Sequence, residues 1–307
     1  MRIGIDLGGT KIEALAIDNA GAILLRHRVP TPADRYENVI RAITDLVAHV
    51  EQSLGEKGTV GIGIPGTISP ASGLVKNANT TMLIGHPLDR DLSEKLSRPV
   101  RVANDANCMA LSEAVDGAAA LPAGAPALER ARVVFGVIIG TGTGGGIVVD
   151  NKILVGPDGV CGEWGHNPLA WPKPEELPPP ACWCGRTGCN ELYLCGPAVA
   201  RDYAAHTGAR LTAAEIAARA DVDPEAEGAI ARFEDRLARG LAAIINVLNP
   251  DVIVLGGGLS NLDRLYQSVP KRWVDYAFSD AVSTTLVKAQ HGDSSGVRGA
   301  AWLWPKP

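Results

Sequence analysis

The chain begins with stretches of alternating apolar and small or polar residues that are separated by turn signals. Residues 2–7 alternate, residues 8–10 (GGT) form a turn signal, residues 11–17 alternate again, and residues 18–21 give a second turn. Alternation with a period of two between turn residues is typical of β-strands. The pattern predicts a β-hairpin that continues into a third strand.

The rest of the first half switches between helical and strand patterns. Apolar residues within 39–50 recur at helical spacing and predict a helix with one apolar stripe that faces a sheet. Further strands are predicted at 59–64 and 100–103, and a helix at 106–118. The Pro- and Ala-rich residues 120–130 then indicate a domain boundary.

The second half starts in the same way as the first. Residues 133–149 again give a strand, a Gly/Thr turn and a strand, which indicates a weak internal duplication. A long irregular segment occupies 168–183. The remaining predicted elements are helices at 198–205 and 225–248, a strand at 251–255 and a terminal helix at 297–303. We expect an α/β protein with one domain at 1–118, completed by 296–307, and a second at 119–295.

Composition narrows the class of protein. With 307 residues, 46% of them hydrophobic, the chain can bury a large core, and its length agrees with about two domains. The formal net charge of -5 and the scattered Lys and Arg residues provide no basic surface for nucleic acid. A small molecule is therefore the expected partner.

The compartment is predicted from the amino terminus and the cysteines. The first residues enter a strand pattern without the features of a signal peptide, and no apolar run approaches the roughly 20 residues of a membrane helix. We expect a cytoplasmic protein that makes no membrane contact. Thiols stay reduced there, so the six cysteines are expected to be free thiols, metal ligands or catalytic groups rather than disulfides.

Three glycine-rich segments carry the first candidate chemistry: residues 6–11, 140–146 and 256–258. Backbone N–H groups in glycine turns can bind phosphate oxygens. One such hairpin turn is more often only a turn. The repetition favours a nucleotide clamped between two domains, although the spacing fits neither a Walker A loop nor a dinucleotide fingerprint.

A second group of candidate functional residues consists of polar side chains near strand ends and near the cysteines. Asp105 follows a strand and precedes a helix, so it is either a functional carboxylate or a helix N-cap. Glu163, His166 and Glu191 could grip a polyhydroxy ligand or be ordinary polar residues. Residues 182–189, CWCGRTGC, permit a disulfide, a redox pair or a metal site. The C-x-C spacing with a third cysteine disfavours a thioredoxin-type pair.

The motifs DLGGTK, GIPG, NDAN, IGTGTGGG, EWGH and CWCGRTGCNE resemble, in this order, those of the ROK family (repressors, open reading frames and sugar kinases) along essentially the whole chain. The resemblance implies ATP-dependent hexose phosphorylation and the two-domain actin-like (RNase H-like) fold with an inter-domain cleft. VKNANTTML and HGDSSGVRGAAWLWP are similar to the bacterial fructokinase (manno/fructokinase) subgroup, which implies fructose as acceptor, with mannose as a second. The alternatives are a glucokinase or N-acetylhexosamine kinase of the same family and a non-catalytic sugar sensor.

The same resemblance implies a role for each motif. Asp105 is the expected catalytic base. ATP, with Mg²⁺ near Asp6, is expected at Asp6, Gly8, Gly9, Thr10, Lys11, Thr141, Gly142, Thr143, Gly256 and Gly257. The hexose is expected at Gly66, Asn79, Asn104, Asp105, Glu163, His166 and Glu191.

The resemblance also implies Zn²⁺ ligands at His166, Cys182, Cys184 and Cys189. Three thiolates and one imidazole complete a tetrahedral site with no open position, so the zinc is expected to be structural. The fifteen residues between His166 and Cys182 exceed the family's usual number, which leaves the path of this loop open. A homodimer is expected, and Cys108, Cys161 and Cys195 are expected to be buried apolar residues.

Overall fold

The computed structural model describes residues 1–78, 80–120 and 131–305. Its strands are β1 (Arg2–Leu7), β2 (Lys11–Ile17), β3 (Ile23–Pro30), β4 (Thr59–Ile64), β5 (Thr67–Ile68), β6 (Val75–Lys76), β7 (Val100–Asn104), β8 (Val133–Ile139), β9 (Thr143–Val149), β10 (Lys152–Ile153), β11 (Val252–Gly256) and β12 (Thr285–Lys288). Its helices are α1 (Tyr36–Leu54), α2 (Leu88–Leu96), α3 (Asp105–Val115), α4 (Gly196–Thr207), α5 (Ala213–Arg219), α6 (Pro224–Leu248), α7 (Leu265–Trp273) and α8 (Ser295–Trp302).

Two five-stranded sheets share one strand arrangement. The first has the order β3-β2-β1-β4-β7, with β1, β2 and β3 antiparallel and β4 and β7 parallel to β1. The second has the order β10-β9-β8-β11-β12, in which β8, β11 and β12 run parallel. The common order agrees with the internal duplication that the repeated hairpin pattern indicates.

Most predicted elements occur within a few residues of their expected bounds, and three helices were missed. The predicted boundary at 120–130 falls almost wholly on residues 121–130, which lie outside the described residues. Helix α7 contains Pro270, which removes a backbone donor and masks the helical pattern in the sequence. Helices α2 and α5 are short, with nine and seven residues, so few periodic positions mark them.

The chain forms two compact units. The first comprises Met1–Pro122, Gly146–Cys161 and Gln290–Pro307, and the second Ala123–Gly145 and Gly162–Ala289. We propose that these units are the two domains. In the described part of the chain, no helix combines the length and apolar character required to cross a membrane.

Two features hold the first unit together: the burial of apolar side chains and the close packing of a helix at glycine residues. The apolar positions of α1 that formed the predicted stripe are all buried in the core of the first sheet. Helix α8 packs on the same sheet and on α3 at glycines. A methyl group on Gly61 would lie 1.9 Å from the carbonyl oxygen of Ala300, and one on Gly299 would lie 1.6 Å from that of Cys108. Larger residues at these positions would force the helix away.

In the second unit, the loop between His166 and Cys182 is fixed to α6 by one buried carboxylate. Both oxygens of Glu176 accept from Arg239, at 2.6 and 2.9 Å, and one also accepts from Arg236 Nε at 2.8 Å. Arg239 additionally donates to the backbone carbonyls of Ala170 and Trp171. Burial alone would raise the pKa of Glu176, but the two guanidinium groups lower it to about 2. The loop is thus an ordered excursion whose path depends on this ion pair.

We predict that Glu176→Gln lowers the free energy of unfolding by about 3 kcal/mol, because it leaves buried guanidinium charge without its carboxylate. The lowered pKa means that this stabilisation is fully present above about pH 4.5 and is lost as the pH falls toward 2. Chemical denaturation at pH 7 should therefore show a large difference in the free energy of unfolding between Glu176→Gln and the unmodified protein. At pH 3 this difference should be smaller.

Glu175→Gln is the matched control, because Glu175 is the exposed neighbour in the same turn. It should change stability by less than about 0.5 kcal/mol. Equal effects of the two substitutions would contradict an anchoring role for Glu176.

Candidate functional site

The first glycine turn lies at the end of β1 in the first unit. Gly8 donates from its backbone N–H to the carbonyl of Lys11 at 3.0 Å, and Thr31 Oγ1 donates to the carbonyl of Gly8 at 2.8 Å. Gly9 and Thr10 are exposed at the tip. Such a tight, open turn leaves room for an anion close to the backbone.

Asp105 begins α3 directly after β7. Asn104 is the N-cap residue, and its Oδ1 accepts from the Ala106 N–H at 2.9 Å while its Nδ2 donates to the carbonyl of Gly66 at 3.3 Å. Asp105 Oδ1 also accepts from the Ala106 N–H at 2.8 Å. Because Asn104 fills the N-cap position, capping does not by itself require an acid at 105.

Asp6 is a half-buried carboxylate whose charge is unfavourable in its surroundings. Burial, then the charges of Asp105 and of Glu13, its cross-strand partner on β2, raise the pKa of Asp6 to about 6, and Lys11 offsets this in part. Two strand ends of one sheet therefore bring repelling carboxylates together. A cation bound there would relieve the repulsion, and Mg²⁺ prefers such oxygen ligands.

Cys108 lies in the core of the same unit. Burial and the charges of Asp105 and Asp6 hold its pKa well above the usual range, so the thiol is neutral. Cys195 is also buried, as predicted, whereas Cys161 is only half-buried, so the prediction of burial is wrong there. Cys161 lies in an irregular turn near Gly156, where less chain covers it.

The second glycine turn, in the second unit, contacts Glu191 directly. The Thr143 N–H donates to Glu191 Oε2 at 3.2 Å, and a methyl group on Gly142 would lie 2.7 Å from the same oxygen. Trp183 Nε1 donates to Glu191 Oε1 at 2.8 Å. Both carboxylate oxygens of Glu191, a residue predicted to bind the sugar, are therefore held in place beside a predicted phosphate-binding loop.

Two residues that the sequence analysis did not single out support this arrangement. Trp164 Nε1 donates to the carbonyl of Gly144 at 2.9 Å, and Asn190 Nδ2 donates to the carbonyl of Trp164 at 2.9 Å. A methyl group on Gly165 would lie 2.1 Å from the carbonyl oxygen of Thr143. The sequence signal that could have identified Trp164 and Asn190 was their position inside the EWGH and CWCGRTGCNE motifs.

The third glycine segment follows β11. Gly257 has φ of +84°, and a methyl group there would lie 2.6 Å from the carbonyl oxygen of Ile139. Only glycine satisfies both the left-handed backbone and the close approach. Gly256 is buried, whereas Gly257 is exposed at the carboxyl end of a parallel strand, where α/β sheets commonly bind ligands.

His166, Cys182, Cys184 and Cys189 converge, with one ligand atom of each within 4.8 Å of the others. His166 Nδ1 lies 3.8 Å from Cys182 Sγ, and Cys184 Sγ lies 3.6 Å from Cys189 Sγ. Tetrahedral zinc with bonds of about 2.0–2.3 Å separates its ligand atoms by roughly 3.3–3.8 Å. The donor set therefore fits zinc in chemistry, and the two distances given above lie within this range.

The thiols of this cluster differ in acidity. The backbone N–H of Arg186 lowers the pKa of Cys184, which favours the thiolate that a metal requires. Burial and the neighbouring thiols raise the pKa of Cys189 to about 12. A bound cation would reverse the second effect, because it stabilises the thiolate directly.

The structure groups the predicted residues by unit. The first unit contains Asp6, Gly8, Gly9, Thr10, Lys11, Gly66, Asn104 and Asp105. The second contains Thr141, Gly142, Thr143, Glu163, His166, Cys182, Cys184, Cys189, Glu191, Gly256 and Gly257. Glu163 is exposed and accepts the His166 N–H at its carbonyl, and Asn79 lies outside the described residues.

The chain is similar to curated kinases along its whole length. It is 41% identical over 308 residues to the N-acetyl-D-glucosamine kinase of Vibrio cholerae, covering 99% of both chains. It is 39% identical to that of Yersinia pseudotuberculosis, covering 99% of this chain and 98% of the relative. These relatives do not confirm the fructokinase subgroup; they agree with the alternative of an N-acetylhexosamine kinase.

Solved structures agree with the fold. A ROK hexokinase from Thermus thermophilus matches 98% of this chain and 97% of its own with a TM-score of 0.84 at 31% identity. A ROK glucokinase from Streptomyces griseus, in complex with glucose and AMPPNP, matches 100% and 99% with a TM-score of 0.74 at 29% identity. The predicted two-domain actin-like fold is confirmed. Since the ROK family profile matches residues 2–307, the chain belongs to the ROK family.

Proposed function

We propose that this chain is an ATP-dependent sugar kinase that phosphorylates a hexose. The observation that carries the proposal is full-length similarity to N-acetyl-D-glucosamine kinases at about 40% identity. The intact phosphate turns and the paired carboxylates Asp6 and Asp105 support it. A non-catalytic sensor would have no need for two repelling carboxylates at these strand ends.

In this proposal each unit contributes part of the chemistry. In the first, Asp105 accepts the proton of the sugar hydroxyl as its oxygen attacks the γ-phosphorus, and ADP leaves as the bond to the β-phosphate oxygen breaks. Asp6 would hold Mg²⁺, which would neutralise phosphate charge when bound. Backbone N–H groups of the turns at residues 9–10 and 141–142 would stabilise phosphate oxygens, since those of Gly8 and Thr143 already donate to Lys11 and Glu191.

Two acceptors are candidates. The curated relatives favour N-acetyl-D-glucosamine. Fructose is the second candidate, because VKNANTTML and HGDSSGVRGAAWLWP are similar to the fructokinase subgroup. The two sugars differ in ring form and in the substituent at C2, so kinetics separates them readily.

We expect ADP release to depend on added hexose in a coupled assay with N-acetylglucosamine, fructose, mannose and glucose. If the relatives indicate the acceptor correctly, kcat/KM for N-acetylglucosamine exceeds that for fructose more than tenfold, about 1.4 kcal/mol of transition-state preference. The inverse ratio would assign the chain to the fructokinases. Turnover with none of the sugars would contradict the kinase proposal.

We predict that Asp105→Asn lowers kcat by about 10²–10⁴-fold, because the amide cannot accept the hydroxyl proton. Affinity for both substrates should change by only a few-fold, and the melting temperature should match the unmodified protein, since Asn104 is the N-cap. Asp45→Asn, on the exposed face of α1, is the control and should leave kcat unchanged. Turnover above a tenth of the original rate would exclude Asp105 as the base.

We also propose that the Cys3His cluster holds one structural zinc ion per chain. Cys184→Ser should then reduce the zinc content measured by elemental analysis and lower thermal stability, because metal binding is coupled to ordering of this loop. Cys161→Ser, which alters a thiol outside the cluster, should keep full zinc. Active protein that contains no zinc would contradict the proposal.

A further inference from the structure

Trp183 is a large aromatic side chain that the fold exposes. It lies between the proposed zinc ligands Cys182 and Cys184, and 74% of it is accessible. Tryptophan is usually buried to a large extent, so an exposed indole that its neighbours hold in one orientation is a candidate for contact with a ligand.

The position of Trp183 is determined by its neighbours. Its Nε1 donates to Glu191 Oε1 at 2.8 Å, and its ring lies edge-on to His166 with 4.9 Å between centroids and 86° between planes. The turn that carries it is closed by the Cys182 N–H donating to the carbonyl of Arg186 at 2.7 Å. The indole therefore has a defined orientation although most of its surface is exposed.

The polar partner of the indole is fixed as well. Glu191 Oε2 accepts from the Thr143 N–H, so the carboxylate is held from two sides. Glu191 and His166 are two of the three residues of this unit that the ROK resemblance assigns to the sugar; the third is Glu163. An exposed aromatic face thus lies directly beside two predicted hydroxyl ligands.

We propose that Trp183 forms an aromatic platform for the acceptor sugar and helps to set which hexoses are accepted. The inference rests on the sugar kinase activity proposed above. One face of a hexose carries mainly C–H groups, which pack well on an aromatic ring, while the hydroxyls at its edge require polar ligands. The pairing of Trp183 with Glu191 supplies both kinds of contact at adjacent positions.

A different role for Trp183 would be only to orient Glu191 through its N–H group. Two substitutions separate these roles. Trp183→Phe keeps an aromatic face and removes the donor to Glu191. Trp183→Ala removes both.

The experiment measures kcat and KM of the full-length, zinc-loaded protein with the best acceptor of the four-sugar panel and with ATP, together with sugar binding by calorimetry. Trp183→Ala should raise KM for the sugar and its Kd about tenfold, with KM for ATP changed less than twofold. Trp183→Phe should keep the sugar KM within about threefold. The order of preference among the four sugars should also change in Trp183→Ala.

Trp171→Ala is the matched control. Trp171 belongs to the same loop and is 47% exposed, but its ring stacks on Tyr276 instead of lying beside Glu191. It should leave the sugar KM unchanged. Two further measurements are made for each variant. Zinc content identifies a loss of sugar binding that comes from damage to the metal loop, and the elution volume in size exclusion identifies one that comes from an altered subunit contact.

Three outcomes would overturn the platform: an unchanged sugar KM in Trp183→Ala, equal losses in Trp183→Phe and Trp183→Ala, or a loss accompanied by missing zinc or an altered oligomeric state. Failure of the proposed function is separate, because the unmodified protein would then bind and phosphorylate none of the four sugars.

Discussion

The first unit depends on the close approach of α8 to the sheet and to α3, which only glycine permits. A methyl group on Gly4 would lie 2.0 Å from the carbonyl oxygen of Val297, and Gly61 and Gly299 show the same restriction. Gly296 lies beside Asp6, where its methyl position would be 4.0 Å from the carboxyl carbon. The packing that holds the last helix on the sheet therefore also defines the space on one side of this carboxylate.

In the second unit, hydrogen bonds rather than close glycine packing hold the candidate site residues in position. Glu191 links the glycine turn at Thr143 to the cysteine segment at Trp183, and Trp164 and Asn190 connect the backbone beneath them. The Cys3His cluster constrains the same short segment of chain. The structural metal proposed above would be useful here, because a glycine-rich loop and an irregular excursion have little apolar surface of their own to bury.

Sequence patterns predicted the repetitive parts of the fold, and they failed where a single long-range contact determines the path of the chain. The hairpins and the α1 stripe follow from periodicity, which is local. The path of the loop after His166 follows from Glu176 meeting Arg239, sixty-three residues further on, and no local pattern shows such a pair. Trp164 and Asn190 were missed for the same reason, since their partners are backbone carbonyls.

The resemblance fixed the reaction class more firmly than the acceptor, and the structure indicates why. Phosphoryl transfer needs backbone turns, a base and a cation site, and these residues form recognisable motifs. The choice of acceptor depends on how closely the site fits the part of the sugar that differs between hexoses. Residues inside and beside the motifs can provide that fit. We propose such a position for Trp183, which lies between Cys182 and Cys184. Discrimination between hexoses by packing differences alone amounts to only about 1–3 kcal/mol, so one exposed aromatic ring at such a position is enough to alter it.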